Sequence, residues 1–180
     1  LVLLGASEGR ALESADLGSL APPPAEAPRF PLWMEAIPQG MERALRTPEG
    51  LLTSRTESGE ILAETQTLEM EWHLVRGCRE SFDQSVTLLR QYFLAPPGLL
   101  AWRLSPHGPA SSPAGAVFQT AAEAPGGASA SVDDLRACRV LLEAEKRWQD
   151  PRYGALADHL LAGLYAHCVR ENLLLEGASW

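Results

Sequence analysis

The sequence predicts an all-α fold built from helical hairpins. Apolar residues recur at helical spacing in three long segments, and each segment is bounded by residue types that start or stop helices. Among the segments between them, only residues 99–104 have the character of a short strand. The length of 180 residues and the 46% hydrophobic content are sufficient for one domain with a buried core.

The N-terminal part divides into a lead-in and two helices. Residues 1–31 are rich in proline and alanine, which predicts an extended or disordered lead-in to an α-helical domain of residues 32–180. Residues 33–46 can form a first helix, which a proline interrupts. The next helix runs from about residue 61 to residue 76, and the glycine that follows is well placed to end it.

A third helix follows Ser81. This serine and Gln84 match a capping box, in which the two side chains satisfy backbone groups of the first turn. Pro96-Pro97-Gly98 stops the helix. Its apolar face consists of Phe82, Val86, Leu89 and Phe93.

The C-terminal part begins after a long loop of residues 105–130, which is rich in proline, glycine, alanine and serine. Ser131 and Asp134 match a second capping box. Asp150 followed by Pro151 predicts the N-cap and first turn of the last helix, which runs to about Gly177. The apolar stripes are Ala137, Val140, Leu141, Ala144 and Trp148 on one helix, and Tyr153, Leu156, Ala157, Leu160, Leu161, Leu164, Cys168 and Val169 on the other.

Composition excludes several functional classes. A net charge of -8 argues against a nucleic-acid partner, because phosphate binding needs a basic surface. No run of 18 apolar residues exists, so no membrane span is predicted. The three cysteines and four histidines have no disulfide or metal spacing, and no phosphate-binding loop is present. We therefore expect neither a metal nor a cofactor.

The first seven residues, Leu-Val-Leu-Leu-Gly-Ala-Ser, look like the end of a signal-peptide apolar region followed by small residues. A boundary inside an ordinary segment explains the same residues about as well. The expected location is secreted or periplasmic.

Four groups of residues occur in a characteristic order. They are Glu64, Gln66 and Met70; Phe82 and Asp83; Gly98 to Arg103; and Ala130, Ser131, Asp134, Ala144 and Trp148. Together they resemble the N-terminal half of glycoside hydrolase family 8, the inverting endoglucanases of the cellulase and bacterial cellulose-synthesis type. The resemblance covers about residues 33–170.

This resemblance implies a fold and a site. Family 8 enzymes fold as an (α/α)6 toroid of six inner and six outer helices, of which this chain would supply about half. Glu64 would be the general acid of a β-1,4-glucan or exopolysaccharide hydrolase. Asp134, Asp133, Trp102 and Gln66 would contact the polysaccharide.

The chain also departs from the family pattern. Val132 stands where the family signature has its active-site aspartate, and Asp133 stands where the family has a small residue. Inverting hydrolysis also needs a second carboxylate, about 6.5–9.5 Å from the first, to activate water. The family's base lies in the part that this chain lacks, and no residue here can be named as the base.

Other interpretations remain open. A catalytically degenerate homologue could bind glycan or a protein partner, and a plain helical interaction module could carry the motifs by coincidence. Glu64 could be an ordinary first-turn charge, Asp134 a capping residue and Trp102 a core anchor. An open half-toroid would expose an apolar stripe, which predicts a homo-oligomer or partial disorder.

Overall fold

A computed structural model describes residues 40, 44–54, 59–107, 117–122 and 127–180. The predicted lead-in of residues 1–31, and all but the end of the predicted first helix, lie outside this part. The described helices are α1 (Ala63–Arg76), α2 (Arg79–Leu88), α3 (Ser131–Trp148) and α4 (Pro151–Cys168). Six two-residue strands accompany them: β1 (Ile61–Leu62), β2 (Arg103–Leu104), β3 (Pro106–His107), β4 (Val117–Phe118), β5 (Val169–Arg170) and β6 (Leu173–Leu174).

The strands form three antiparallel pairs, β1 with β2, β3 with β4, and β5 with β6. The predicted strand in residues 99–104 is present as β2, and its partner β1 leads directly into α1. α2 continues as a π-helical turn, Leu89–Phe93, before Pro96 and Pro97 end the helical path. The sheet pairs are short, and the helices therefore determine the architecture.

The end of α1 confirms the role predicted for Gly77. This glycine has a φ of 73°, and the Gly77 and Cys78 N–H groups donate to the carbonyls of Leu74 and His73. These are the two hydrogen bonds of a Schellman motif, which a left-handed residue makes possible. α2 begins two residues later, so the two helices form a tight hairpin.

The N-cap of α4 is also confirmed, whereas the two capping boxes are wrong. Asp150 accepts from Arg152 N at 3.1 Å, with Pro151 in the first turn. α2 begins at Arg79, so Ser81 lies inside the helix. α3 begins at Ser131 without a side-chain cap, because the Asp134 carboxylate accepts from a different part of the chain.

The last helix ends nine residues earlier than predicted. Cys168 is its final residue, and the chain then turns back through the β5–β6 hairpin. Glu171 and Asn172 occupy the turn with φ values of 50° and 63°, the pair of positive angles that a two-residue hairpin turn favours. Because strand pairing replaces the last helical turns, Gly177 is not a helix terminus.

Most residues of the predicted apolar stripes form one core between the helices, and Leu164 and Cys168 of α4 pack in a smaller cluster with Leu99. Phe82 of α2, Trp148 of α3 and Tyr153 of α4 meet edge to face, with ring centroids 4.9 Å apart for Phe82–Trp148 and 5.3 Å for Phe82–Tyr153. Two residues depart from their stripes, because Leu161 is 37% exposed and Val169 lies in β5. The remaining stripe residues pack as expected.

α4 also packs closely on the turn that precedes β2. A side chain at Gly163 would collide with the carbonyl oxygen of Gly98, so this crossing requires glycine. Within the described ranges, no helix combines the length and apolarity that a membrane crossing requires.

Candidate functional site

The first turns of α1 and α3 lie beside the segment that carries Trp102. The Ala63 N–H donates to the Trp102 carbonyl at 3.0 Å, and the Trp102 N–H donates to the Ala128 carbonyl at 2.9 Å. These bonds tie Trp102 to the start of α1 on one side and to the approach to α3 on the other. The sequence motifs around residues 64, 102 and 133 therefore meet at one end of the helices.

Glu64 presents an exposed carboxylate at this end. Its side chain is 52% exposed, and its Oε1 lies 3.4 Å from Nη2 of Arg136. The other guanidinium nitrogen of Arg136 lies 3.3 Å from Oδ1 of Asp133. One arginine thus bridges the predicted acid of α1 and a predicted substrate contact of α3.

Sequence reasoning missed Arg136. Its only signal was its place three residues after Asp133, a spacing at which helical side chains are neighbours. Such a pair is common on any helix surface, and nothing in the sequence indicates that α1 supplies the second carboxylate. The packing of α1 against α3 creates this bridge.

Asp133 is nearly buried at the base of the bridge. Burial raises the pKa of its carboxyl group, while Arg136 lowers the pKa and Glu64 raises it. The Asp133 side chain is 9% exposed, and that of its arginine partner is 22% exposed.

Asp134 is fully buried behind the site. Its Oδ1 accepts from the Leu100 N–H at 2.8 Å, and its Oδ2 has no hydrogen-bond partner among the described residues. Burial raises the pKa of Asp134 to about 7, the Leu100 hydrogen bond lowers it, and Asp133 raises it. Asp134 therefore holds the segment before Trp102 against α3, and its contact with a substrate stays a prediction.

Gln66 and Trp102 differ in their access to solvent. Gln66 is 1% exposed, and its side-chain amide donates to the Leu52 carbonyl at 2.9 Å, so it braces the turn beside α1. Trp102 is 38% exposed, with the Arg103 guanidinium 4.6 Å from the centre of its ring. Of these two predicted substrate contacts, the structure presents Trp102 at the surface.

Two large apolar side chains are exposed on the first turns of α1 and α3. Val132, at the first turn of α3, is 60% exposed, and Leu68, one turn along α1 from Glu64, is 49% exposed. Large apolar side chains in water usually mark a surface that contacts something else. The site therefore combines the exposed Glu64 carboxylate with apolar and aromatic side chains.

No ion site accompanies this arrangement in the described part of the chain, where no group of three or more His, Cys, Asp or Glu side chains is placed to hold a metal. The carboxylates of the site are those of Glu64, Asp133 and Asp134. The Arg136 guanidinium contacts the Glu64 carboxylate directly, with 3.4 Å between Nη2 and Oε1.

Comparison with solved structures identifies the fold. An endo-β-1,4-glucanase of glycoside hydrolase family 8 from an Achatina fulica gut metagenomic library aligns with a TM-score of 0.64 and 19% identity, over 83% of this chain and 45% of that chain. Endoglucanase Cel10 of family 8 from Klebsiella pneumoniae aligns with a TM-score of 0.60 and 23% identity, over 77% and 43%. An α-amylase from Clostridium perfringens aligns with a TM-score of 0.63 and 20% identity, over 78% and 40%. No family model and no curated protein matches the sequence.

The predicted fold class and the resemblance to family 8 are confirmed at the level of the fold. The chain has a glycoside hydrolase-like all-α fold and spans about two fifths of the length of the solved structures that it matches. This coverage is consistent with part of an (α/α)6 toroid. The solved structures include both an endo-β-1,4-glucanase and an α-amylase, so the shared fold does not by itself determine a substrate.

Proposed function

We propose that this chain forms the part of an inverting endo-β-1,4-glucan hydrolase that holds the glycan and carries the general acid. Glu64 is the acid. The observation that carries the proposal is the exposed Glu64 carboxylate at the head of α1, one residue from the hydrogen bond that ties α1 to Trp102. The glycoside hydrolase-like fold supports it.

In this proposal, Glu64 protonates the glycosidic oxygen as the bond to the sugar breaks. The exposed ring of Trp102 offers a flat apolar platform for a sugar, whose ring faces are themselves apolar. Arg136 leaves Glu64 when the glycan arrives and keeps its contact with Asp133. The base that activates water comes from outside this chain.

The polysaccharide is the proposed partner, and a β-1,4-glucan or related exopolysaccharide is its proposed class. The match to an α-amylase makes an α-glucan the appropriate comparison substrate. Because a polysaccharide of this kind lies outside the cell, we propose a secreted or periplasmic protein.

A second function is favoured by a specific observation. Val132 is 60% exposed at the position where the family resemblance places an active-site aspartate, and Glu64 is paired with a cation. Both features fit a homologue that binds glycan without cleaving it. Binding and cleavage must therefore be measured separately.

The test uses the longest natural form of the protein that contains this sequence. Reducing ends released from carboxymethyl-cellulose and from soluble starch are measured for the wild type, Glu64→Gln and Glu71→Gln. Glu71 lies on the same helix and pairs with Arg139 at 2.7 Å, away from Glu64, which makes it the matched control.

We expect cleavage of carboxymethyl-cellulose that Glu64→Gln lowers by about 10²–10⁴-fold and Glu71→Gln leaves nearly unchanged, since that range is typical of a lost general acid. Equal loss in both variants would contradict the role of Glu64. Binding of the glucan without release of reducing ends would favour the second function. Cleavage of starch alone would indicate an α-glucan, and not a β-glucan, as the substrate.

A further inference from the structure

A polar cavity of about 190 Å³ lies on the other side of α1 from Glu64. Glu69 and His73 of α1 form one wall, Ser81, Gln84, Ser85 and Leu88 of α2 form another, and Arg46 closes one end. Glu69 follows Glu64 by five positions along the α-helix, which places their side chains roughly 140° apart around the helix. The cavity is therefore distinct from the candidate glycan site.

A buried carboxylate with one unused oxygen lines this cavity. Oε1 of Glu69 accepts from Nη2 of Arg46 at 2.6 Å and lies 3.5 Å from Nε2 of His73. The side chain is only 5% exposed, yet Oε2 has no hydrogen-bond partner among the described residues. A buried carboxylate oxygen without a donor is costly, so a group that fills the cavity and donates to it is stabilised there.

The opposite wall supplies further hydrogen-bonding groups. The Ser81 hydroxyl and the Gln84 side-chain amide make no hydrogen bond within the described part of the chain, and each can donate and accept. The Ser85 hydroxyl is already used, because it donates to the Ser81 carbonyl at 3.1 Å. The cavity thus presents one unused hydrogen-bond acceptor and two groups that can each donate or accept a hydrogen bond.

Charge and size define the ligand class. The charge of Glu69 is matched by Arg46, so the cavity favours neither a bare cation nor an anion. Its volume of about 190 Å³ is smaller than the roughly 300–1,000 Å³ of pockets for drug-sized ligands. A neutral molecule with several hydroxyl groups can donate to Glu69 and can both donate to and accept from Ser81 and Gln84.

We infer that this cavity binds a small neutral polyol of monosaccharide size, with a ligand hydroxyl donating to Oε2 of Glu69. The inference does not rest on the proposed hydrolase activity. It assigns a function to Glu69, which the sequence pattern placed on α1 without any role.

The test follows the Gln84 side-chain amide signal by heteronuclear NMR while D-glucose, glycerol or ammonium chloride is titrated into the protein. Sodium chloride at the same ionic strength is the control for ammonium chloride. We expect saturable shifts with D-glucose and a Kd on the order of 1–10 mM. Ser81→Ala and Gln84→Ala, followed through the backbone signals of residues 81–88, should each weaken binding roughly threefold to tenfold.

Gln91→Ala is the matched control, because Gln91 is exposed on the continuation of α2 and does not line the cavity. It should bind D-glucose like the wild type. Glu69→Gln should abolish saturation; if that variant unfolds because Arg46 loses its partner, the two rim variants still decide the question.

Non-saturating shifts with D-glucose would overturn the inference and leave a water-filled cavity. If ammonium saturates the shifts and neither D-glucose nor glycerol does, the ligand is a cation and the inference of a neutral ligand is wrong. Unchanged affinity in both Ser81→Ala and Gln84→Ala would place the sugar elsewhere on the protein.

Discussion

The two ends of the α1 and α3 helices differ in how well their side chains are packed and hydrogen-bonded. At the end where α3 meets α4, Phe82, Trp148 and Tyr153 fill the space between three helices, and the Tyr153 hydroxyl donates to Asp83 at 2.7 Å. At the other end, Asp134 is buried, one of its oxygens has no hydrogen-bond partner in the described part of the chain, and Val132 is exposed. The first end follows the rules of stable packing and the second departs from them, as binding sites commonly do.

The largest expected effect comes from breaking the packed end. Phe82→Ala removes a ring that is fully buried against two aromatic neighbours. We expect a loss of about 3–5 kcal/mol in the free energy of unfolding, measured by urea denaturation, because the cavity cannot refill. Thr87→Ala, an exposed change on the same helix, should cost much less. Equal losses would show that this end is not the source of stability.

A smaller effect is expected from Asp134 at the other end. Its pKa rises from 3.8 in the unfolded chain to about 7 in the folded protein, so the folded state holds the proton more tightly. As the pH rises from 3.8 to about 7, the ionisation of Asp134 therefore lowers the free energy of unfolding. The contribution of this group to stability is smallest at high pH. Asp134→Asn should flatten that part of the pH dependence, because asparagine still accepts from Leu100 and carries no charge.

Asp134→Ala provides the comparison for the asparagine variant. It removes the acceptor for the buried Leu100 N–H, and we expect a loss of about 1–3 kcal/mol that persists at low pH. Both effects are measured by urea denaturation between pH 4 and pH 8. An unchanged pH profile in Asp134→Asn would contradict the assignment of this titration to Asp134.

The smallest effect on stability, and a clear effect on association, is expected at the exposed apolar face of α1. Leu68, Trp72 and Val75 are 49%, 41% and 69% exposed and recur along one side of this helix. Trp72→Gln should change the free energy of unfolding by no more than about 0.5 kcal/mol. If the chain associates through this face, the variant should be more monomeric in light scattering. A wild-type chain that is already monomeric would contradict that proposal.

Periodicity predicted the packed end well because burial there depends on local spacing alone. Tyr153, Leu156 and Leu160 are buried as their spacing requires, and Gly77 ends α1 as a left-handed residue should. The family resemblance, carried by the order of motifs, predicted that residues 64, 102 and 133 would meet. Both predictions use the spacing and order of residues along the sequence, which can be observed without knowing which segments pack together.

The remaining features depend on contacts between distant segments. Asp134 matches a capping box in sequence, but its carboxylate accepts from Leu100, thirty-four residues away. Arg136 became part of the site because α1 packs beside α3. The Glu69 cavity needs the Arg46 turn, α1 and α2 together. No local pattern specifies these partners, although a Glu69–His73 pair on the buried side of α1 was a detectable signal.

The most direct test of the glycan site is hydrogen–deuterium exchange of this chain with and without saturating cellohexaose, with maltohexaose as the comparison. The account predicts protection by cellohexaose of residues 63–68, 100–104 and 131–136, and loss of that protection in Trp102→Ala. The end around Phe82 and Tyr153 should exchange at the same rate with and without the oligosaccharide. Protection confined to other segments, or equal protection by both oligosaccharides, would contradict a β-1,4-glucan site at the heads of α1 and α3.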